Sequence, residues 1–109
     1  MRNLKKMLCV LPLIAVIGGC TSNLIDARKG SEQVLLMDAS YVANCQTKGQ
    51  TTVSVLAEIG FFNRSVESVE ANLLQLARNG AIDMGGDTIV KGISPEYGKR
   101  AFSIYKCSP

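Results

Sequence analysis

Histidine is absent from the 109-residue chain, and so is any Gly-x-Ser-x-Gly segment. Serine nucleophiles need a neighbouring base, which is most often histidine, so the serines of this chain have no visible activating group. The sequence also lacks Cys-x-x-Cys and Gly-x-Gly-x-x-Gly, which are typical of thiol redox centres and of phosphate-binding turns. We therefore expect neither an enzyme nor a bound cofactor.

An excess of positive charge is also missing from most of the chain. Three of the twelve basic residues, Arg2, Lys5 and Lys6, precede Cys20, so nine basic side chains remain against nine acidic ones. Nucleic-acid binding depends on a clustered excess of lysine and arginine that displaces counterions. The residues from Cys20 onwards are thus not expected to bind nucleic acid.

The first nineteen residues have the pattern of a targeting segment. Met1–Lys6 is basic, and Met7–Ile17 is an uncharged apolar run that ends in small residues. A membrane-spanning helix is the alternative, but residues 7–19 would rise only about 20 Å as a helix, against a hydrocarbon core of roughly 30 Å. Residues 1–19 are therefore predicted to be a signal peptide.

The apolar run closes on Ile17-Gly18-Gly19-Cys20, which resembles the lipobox of bacterial lipoproteins. A classical signal peptidase site is the competing interpretation, because Gly18 and Gly19 are small enough for it. The lipobox resemblance implies cleavage before Cys20 and a lipid anchor on that cysteine. Since Thr21 rather than aspartate follows, it further implies sorting to the periplasmic face of the Gram-negative outer membrane.

Cysteine counting then predicts one disulfide. Cys9 leaves with the signal peptide and Cys20 carries lipid, so Cys45 and Cys107 remain in an oxidising compartment. Their bond would close a loop worth about 4 kcal/mol in the chain-entropy picture. Two free thiols or a metal pair are the alternatives, although a zinc site would lack ligands.

Residues 20–31 are polar without sustained periodicity and are predicted to be a tether, which leaves residues 32–109 as the globular domain. Short apolar or β-branched runs predict four strands. Gln33–Met37 is expected to be buried on both faces or at the sheet centre. The remaining strands are expected at residues 45–56, 87–93 and 100–107, with a bulge or a close backbone approach at Gly49. Residues 60–63 are expected to form a loop with two aromatics.

A helix is predicted from the N-cap Ser65 to about Met84, with a stop at Gly80 as the alternative to one at Gly85. Strand, strand, helix, strand, strand is the order of a small single-domain α+β fold, with the helix packed on an antiparallel or mixed sheet. The apolar stripe predicted to face that sheet comprises Val66, Val69, Leu73, Leu76, Ala77, Gly80 and Met84, and the predicted polar face comprises Ser68, Asn72, Gln75 and Asn79.

Two groups of charged residues are candidate binding sites. Asp83 and Asp87 flank Met84-Gly85-Gly86, but an EF-hand loop begun at Asp83 would need glycine where Thr88 stands, so no metal site is expected. A basic patch near the C-terminus is expected to be solvated surface, with contact to anionic lipid head groups or to the cell wall as the alternative. Its members are Lys99, Arg100 and Lys106.

Several segments together resemble the YjeI-like family, small Gram-negative lipoproteins built on a domain of unknown function. The segments are Cys45-Gln46 followed by Gly49, Ala77-Arg78-Asn79 leading to Met84–Ile89, and the terminal Ile104–Cys107. More distantly, the layout is similar to the outer-membrane lipoprotein that senses envelope stress for the Rcs phosphorelay, although the tether here contains no proline. The resemblance implies a membrane-anchored, disulfide-bonded α+β domain.

Two functions follow as hypotheses. The first is a non-catalytic envelope lipoprotein that acts by protein contact, as a structural, interaction or stress-sensing module. The second is a periplasmic domain that binds a small ligand or ion, suggested by Gly85-Gly86 at the helix exit and by Phe61 and Phe62.

Overall fold

The computed structural model describes residues 25–59 and 62–109. The predicted signal peptide, the predicted lipidation site Cys20 and the first part of the predicted tether lie outside the described residues. Gly60 and Phe61 lie outside them as well.

The described residues form a small α+β domain in which one helix packs on a four-stranded mixed sheet, as the pattern predicts. The sheet has the order β1-β5-β6-β2, with β1 parallel to β5 and the other neighbours antiparallel. A separate two-stranded hairpin joins β3 to β4. The elements are β1 Leu35–Leu36, β2 Gln46–Ser54, β3 Glu58–Ile59, β4 Phe62–Asn63, α1 Val66–Met84, β5 Thr88–Lys91 and β6 Lys99–Lys106.

The core lies between α1 and the two central strands. Phe102, Ile104 and Ile89 are almost completely buried on the sheet, and Val69 and Leu73 meet them from the helix. The strands β5 and β6 are the two inner strands of the sheet, and they carry its largest buried side chains.

The prediction of a central or doubly buried strand at Gln33–Met37 is wrong. Only Leu35 and Leu36 are in a strand, at the edge of the sheet, and they are 56% and 38% exposed. The preceding residues turn as a short 3-10 helix, Ser31–Gln33, and Val34 alone enters the core. A short apolar run does not determine its place in the strand order, which here depends on the β5–β6 hairpin and its pairing with β2.

The bulge predicted at Gly49 is confirmed. The register of β2 against β6 shifts between Thr47 and Gly49, and Gly49 has a φ of 122°. A side chain at this position would also come within 2.9 Å of the Met84 methyl group. The positive φ therefore favours glycine at the bulge, whereas the flexible Met84 side chain could move to accommodate a Cβ.

The helix starts and ends where its capping signals predict. The Ser65 hydroxyl accepts a hydrogen bond from the Ser68 amide at 3.1 Å, and Gly85 ends the helix in the left-handed conformation with a φ of 78°. Gly80 lies inside the helix, where a Cβ would sit 3.7 Å from the Thr51 methyl. The stop at Gly85, rather than at Gly80, is thus the observed one.

The predicted apolar stripe is correct at its centre and wrong at its edges. Val69, Leu73 and Ala77 are fully buried, but Val66 is 63% exposed and Asn72, assigned to the polar face, is only 5% exposed. Periodicity gives the angular spacing of a stripe along the helix, whereas the packing partners decide which residues lie at its margins.

The segment at residues 60–63 was expected to be a loop, and this expectation needs correction. Glu58 pairs with Asn63 and Ile59 with Phe62 in a short antiparallel hairpin. The amide of Arg64 donates to the carbonyl of Ala57 at 2.8 Å and closes the base of the hairpin. Phe62 and Asn63 thus lie in a paired strand, while Gly60 and Phe61 lie outside the described residues.

The second half of the predicted tether is part of the fold. Ser31 is 1% exposed, and its hydroxyl accepts a hydrogen bond from the Gln75 amide at 3.0 Å. Farther back along the chain, the Asn79 amide donates to the carbonyl of Asp26 at 2.8 Å. Residues 26–31 therefore lie against α1 instead of hanging free.

Candidate functional site

The predicted disulfide between Cys45 and Cys107 is present, with an S–S distance of 2.09 Å and a Cα–Cα distance of 4.5 Å. It joins the residue before β2 to the residue after β6. Gln46 pairs with Lys106, so the disulfide joins the two residues that directly adjoin the last pair of this strand ladder. This end of the domain, which also holds the C-terminus of α1, is the disulfide end.

Asp87 organises the chain terminus beside the disulfide. Its carboxylate accepts hydrogen bonds from the backbone amides of Cys107 and Ser108, at 2.8 and 3.0 Å, and from the Ser108 hydroxyl. The Thr88 hydroxyl donates to it as well, at 3.0 Å. Four donors thus occupy the carboxylate, which serves as a clamp on the C-terminal residues.

Asp83, the other carboxylate considered as a metal ligand, makes a different contact from Asp87. Asp83 accepts a hydrogen bond from the Arg28 guanidinium at 3.0 Å, on the outer side of α1. Within residues 25–59 and 62–109, no group of three acidic or cysteine side chains is arranged to hold a metal ion. The two carboxylates therefore belong to two different polar contacts.

The basic patch considered near the C-terminus does not form as a unit. Arg100 makes a two-pronged ion pair with Glu70 at 3.1 and 3.3 Å, and Lys106 lies 3.8 Å from Asp87. Lys99 and Lys106 are the two ends of β6, which places them about 23 Å apart at the usual rise of a strand. The three basic residues are spread along the length of β6 and do not form one patch.

The glycine pair at the helix exit has a packing role. A Cβ on Gly86 would come within 2.9 Å of the Tyr105 carbonyl oxygen and would clash with Ile104. The backbone of the helix exit therefore presses directly on β6, with no space for a ligand between them. This close approach explains the glycine pair, which is one of the two features that suggested small-ligand binding.

The opposite end of the domain carries an unusual set of exposed apolar side chains. We call it the apolar end and define it by four residues from three segments: one follows β2, one opens α1, and two lie in the connection between β5 and β6. They are Leu56, Val66, Ile93 and Tyr97, with exposed fractions of 66%, 63%, 77% and 43%. The pairing of Ser54 with Lys99 and of Arg100 with Glu70 brings these segments to the same end.

Hydrogen bonds hold the apolar end in shape. The Tyr97 hydroxyl donates to the Arg64 carbonyl at 2.7 Å, and the Arg64 guanidinium donates to the Leu56 carbonyl at 2.9 Å. In the β5–β6 connection, the Ser94 hydroxyl contacts the carbonyls of Glu96 and Lys99. The apolar side chains are thus presented on braced backbone.

Charge around the apolar end is balanced. Three basic residues, Arg64, Lys91 and Lys99, belong to the segments that meet there, and so do three acidic ones. The acidic residues are Glu58, Glu67 and Glu96. A surface of this kind selects partners by shape and apolar contact more than by the sign of their charge.

A shallow groove of about 490 Å³ lies beside edge strand β1. It is open to solvent and mixes apolar side chains with one acidic and one basic residue. Its lining residues are Leu36, Met37, Asp38, Ala39, Tyr41, Val90 and Lys91. No cluster of buried polar groups accompanies the groove in the described part of the chain, so we do not treat it as a ligand site.

Sequence reasoning did not find the apolar end. Ile93 was assigned to a strand, Tyr97 to a turn and Val66 to the buried stripe, and each assignment gave the residue an ordinary structural role. The available signal was the presence of large apolar residues next to predicted turns, as at Ile93 and Tyr97 around Pro95. That signal becomes specific only when several such residues converge in space.

No helix among the described residues is long and apolar enough to cross a membrane. No match to a curated protein or to a solved structure is found. Residues 26–107 match the family described as a domain of unknown function, DUF4156, and the matched region begins where the chain docks on α1. The chain therefore belongs to the DUF4156 family.

Proposed function

We propose that this protein is a lipid-anchored, non-catalytic module of the Gram-negative cell envelope that contacts another envelope protein through its apolar end. The observation that carries the proposal is that Leu56, Val66, Ile93 and Tyr97 are all exposed at one end of the domain, where hydrogen bonds hold the backbone. Exposed apolar side chains scattered singly are ordinary, whereas a contiguous set commonly marks an interaction site.

The apolar end suits a protein partner for two reasons. Its backbone is fixed by hydrogen bonds through Arg64, so little conformational entropy is lost on binding. Its side chains include a tyrosine, a residue type enriched at the energetic centres of interfaces. Sensing of envelope stress is a narrower form of the same function, suggested by the resemblance to the Rcs sensor, and it would use the same surface.

The anchor proposed at Cys20 would hold this surface near the membrane. Cys20 precedes the docked residue Asp26 by six positions, a span of at most about 20 Å when fully extended. The disulfide between Cys45 and Cys107 fits an oxidising compartment outside the inner membrane. The position of the lipobox and the chemistry of the fold thus support the same location.

The contact can be tested by site-specific photocrosslinking in whole cells. A photoreactive amino acid at Ile93 or at Leu56 is expected to give the same discrete adduct with a second envelope protein. The same amino acid at Thr47, which is exposed on β2 and pairs with Tyr105 at the disulfide end, is the matched control and is expected to give none. Adducts of equal yield from all three positions, or none from Ile93 and Leu56, would contradict the proposed contact.

The anchor has an independent test. The intact mass of protein extracted from membranes is expected to include a lipid modification that Cys20→Ser abolishes, because the sulfur of Cys20 is the proposed attachment atom. Alkylation is expected to label two further cysteines only after reduction, since Cys45 and Cys107 are joined. An unmodified mass for the wild-type chain would refute the anchor without bearing on the crosslinking result.

A further inference from the structure

Residues 26–31, which we call the strap, are attached to α1 mainly through one side chain. The Asn79 side-chain oxygen accepts a hydrogen bond from the backbone amide of Arg28 at 2.9 Å. The Asn79 side-chain nitrogen donates to the carbonyl of Asp26 at 2.8 Å. The same oxygen also accepts the Gln75 amide at 2.9 Å. The side-chain amide of Asn79 thus bonds to the strap backbone both as an acceptor and as a donor.

Two further polar contacts fix the ends of the strap. Arg28 forms an ion pair with Asp83 at 3.0 Å, with the two side chains 59% and 50% exposed. Gln75, which also touches Asn79, donates to the buried Ser31 hydroxyl. Three residues of one helix face, Gln75, Asn79 and Asp83, therefore hold the strap by polar contacts, which run from Ser31 back to Asp26.

The character of these contacts differs from that of the core. Residues 26–29 are exposed, and the hydrophobic core begins only at Val34. Segments held by exposed hydrogen bonds with few buried apolar contacts open locally at a much lower free energy than the whole domain unfolds. We therefore expect the strap to open at a lower free energy than the sheet and helix unfold.

We propose that the strap is a releasable segment whose docking on Asn79 sets how far the domain reaches from the membrane. The proposal rests on the lipid anchor at Cys20 proposed above. With the strap docked, six residue steps separate Cys20 from the body of the domain, or at most about 20 Å of extended chain. With the strap released back to Ser31, eleven steps separate them, or at most roughly 36–40 Å.

Doubling the reach has a functional consequence for a module that works by contact. A docked strap keeps the domain close to its own membrane. A released strap about doubles the greatest distance from the membrane at which the apolar end can meet a partner. A partner that binds the apolar end at the greater distance would favour the released state, because only that state can engage it.

Trypsin reports directly on strap opening, because the strap contains Arg28 and Lys29. Full-length lipidated protein in phosphatidylethanolamine–phosphatidylglycerol vesicles is treated with trypsin, and cleavage after Lys29 is followed by mass and by release of the domain. Proteolysis of a segment that must open first tracks the population of its open form. We expect Asn79→Ala to raise the cleavage rate at least about tenfold over Asn44→Ala, which alters an exposed asparagine elsewhere.

A charge-reversal pair separates a specific contact from general loosening. Arg28→Asp places like charges at the Arg28–Asp83 contact and is expected to speed cleavage several-fold, whereas the combination of Arg28→Asp with Asp83→Arg is expected to restore slow cleavage. The two proteins have the same sequence around Lys29, so trypsin's own preference cancels. Equal rates for all variants would overturn the proposal.

The reach itself is measured by time-resolved energy transfer from a dye at exposed Glu32 to acceptors on lipid head groups. We expect the longest separations to extend by roughly 10–15 Å in Asn79→Ala and Arg28→Asp, but not in Asn44→Ala or the charge-reversed pair. Faster cleavage without longer separations would overturn the role of the strap in reach. An unlipidated protein that does not stay on vesicles would refute the anchor and the reach together, while the cleavage comparison would still decide whether Asn79 holds the strap.

Discussion

Replacing both Cys45 and Cys107 with serine is expected to lower the free energy of unfolding by about 4 kcal/mol. The bond closes a loop with a sequence separation of 62, and a loop of this length loses about that much conformational entropy from the unfolded chain when it is cross-linked. For a domain of about 80 residues, each kcal/mol corresponds to roughly 4–8 °C in Tm. We therefore expect a fall of at least about 15 °C in thermal unfolding.

Urea unfolding with and without reductant supplies the measurement and its control. Reductant should lower the unfolding midpoint of the wild-type protein and leave that of the double serine variant unchanged. The folded state itself should persist in the variant, because β2 and β6 remain paired from Gln46 to Ser54. A variant as stable as the oxidised wild type would show that the cross-link contributes little.

The second large effect is expected at Asp87, where we predict that Asp87→Asn destabilises the domain by about 1–3 kcal/mol. The carboxylate accepts hydrogen bonds from the amides of Cys107 and Ser108 and from two hydroxyls. An asparagine keeps one accepting oxygen but turns an NH₂ group towards donors, so at least one of these bonds becomes a donor–donor contact. The loss should be measurable by urea unfolding at pH 7.

Asp83→Asn is the matched control for this substitution. Asp83 lies four positions earlier, on the same helix exit, and its single ion pair with Arg28 is about half exposed. An exposed pair of this kind contributes roughly 0–1 kcal/mol. Equal destabilisation by the two substitutions would argue against the clamp.

The pH dependence gives the same prediction an independent readout. Burial raises the pKa of Asp87, but the hydrogen bonds from Ser108, Cys107 and Thr88 outweigh it and hold the pKa well below its ordinary value. Because the folded-state pKa is below the unfolded one, the stabilisation is complete above about pH 4 and is lost as the pH falls further. Wild type and Asp87→Asn should therefore converge in stability below pH 4, and a gap that stays constant down to pH 2 would contradict the assignment.

The parts of the fold that the sequence predicts correctly are those governed by local rules. Ser65 and Gly85 limit the helix because one offers a side-chain acceptor to free amides and the other tolerates a left-handed backbone. Gly49 marks the bulge for a related reason. In each case the residue type restricts the backbone at its own position, so no knowledge of distant neighbours is needed.

The features missed are those that depend on neighbours distant in sequence. Leu35 and Leu36 form an apolar pair suited to a buried strand, but their place at the sheet edge follows from how the later strands pair. Asp26 and Arg28 have the composition of a tether, yet Asn79, more than fifty positions later, holds them on α1. Composition cannot reveal a hydrogen bond over such a separation.

The sequence by itself predicted the α+β class, the start of the helix and the pairing of Cys45 with Cys107, since the lipobox interpretation leaves only these two cysteines to pair. It left the end of the helix open between Gly80 and Gly85, and the structure places it at Gly85. It also indicated the lipobox at Cys20, which the described structure does not reach. Only the tertiary structure decided that three separate segments meet as the apolar end and that the strap is docked. Both are juxtapositions of residues far apart along the chain, and burial and hydrogen bonding between such residues are properties of the folded state alone.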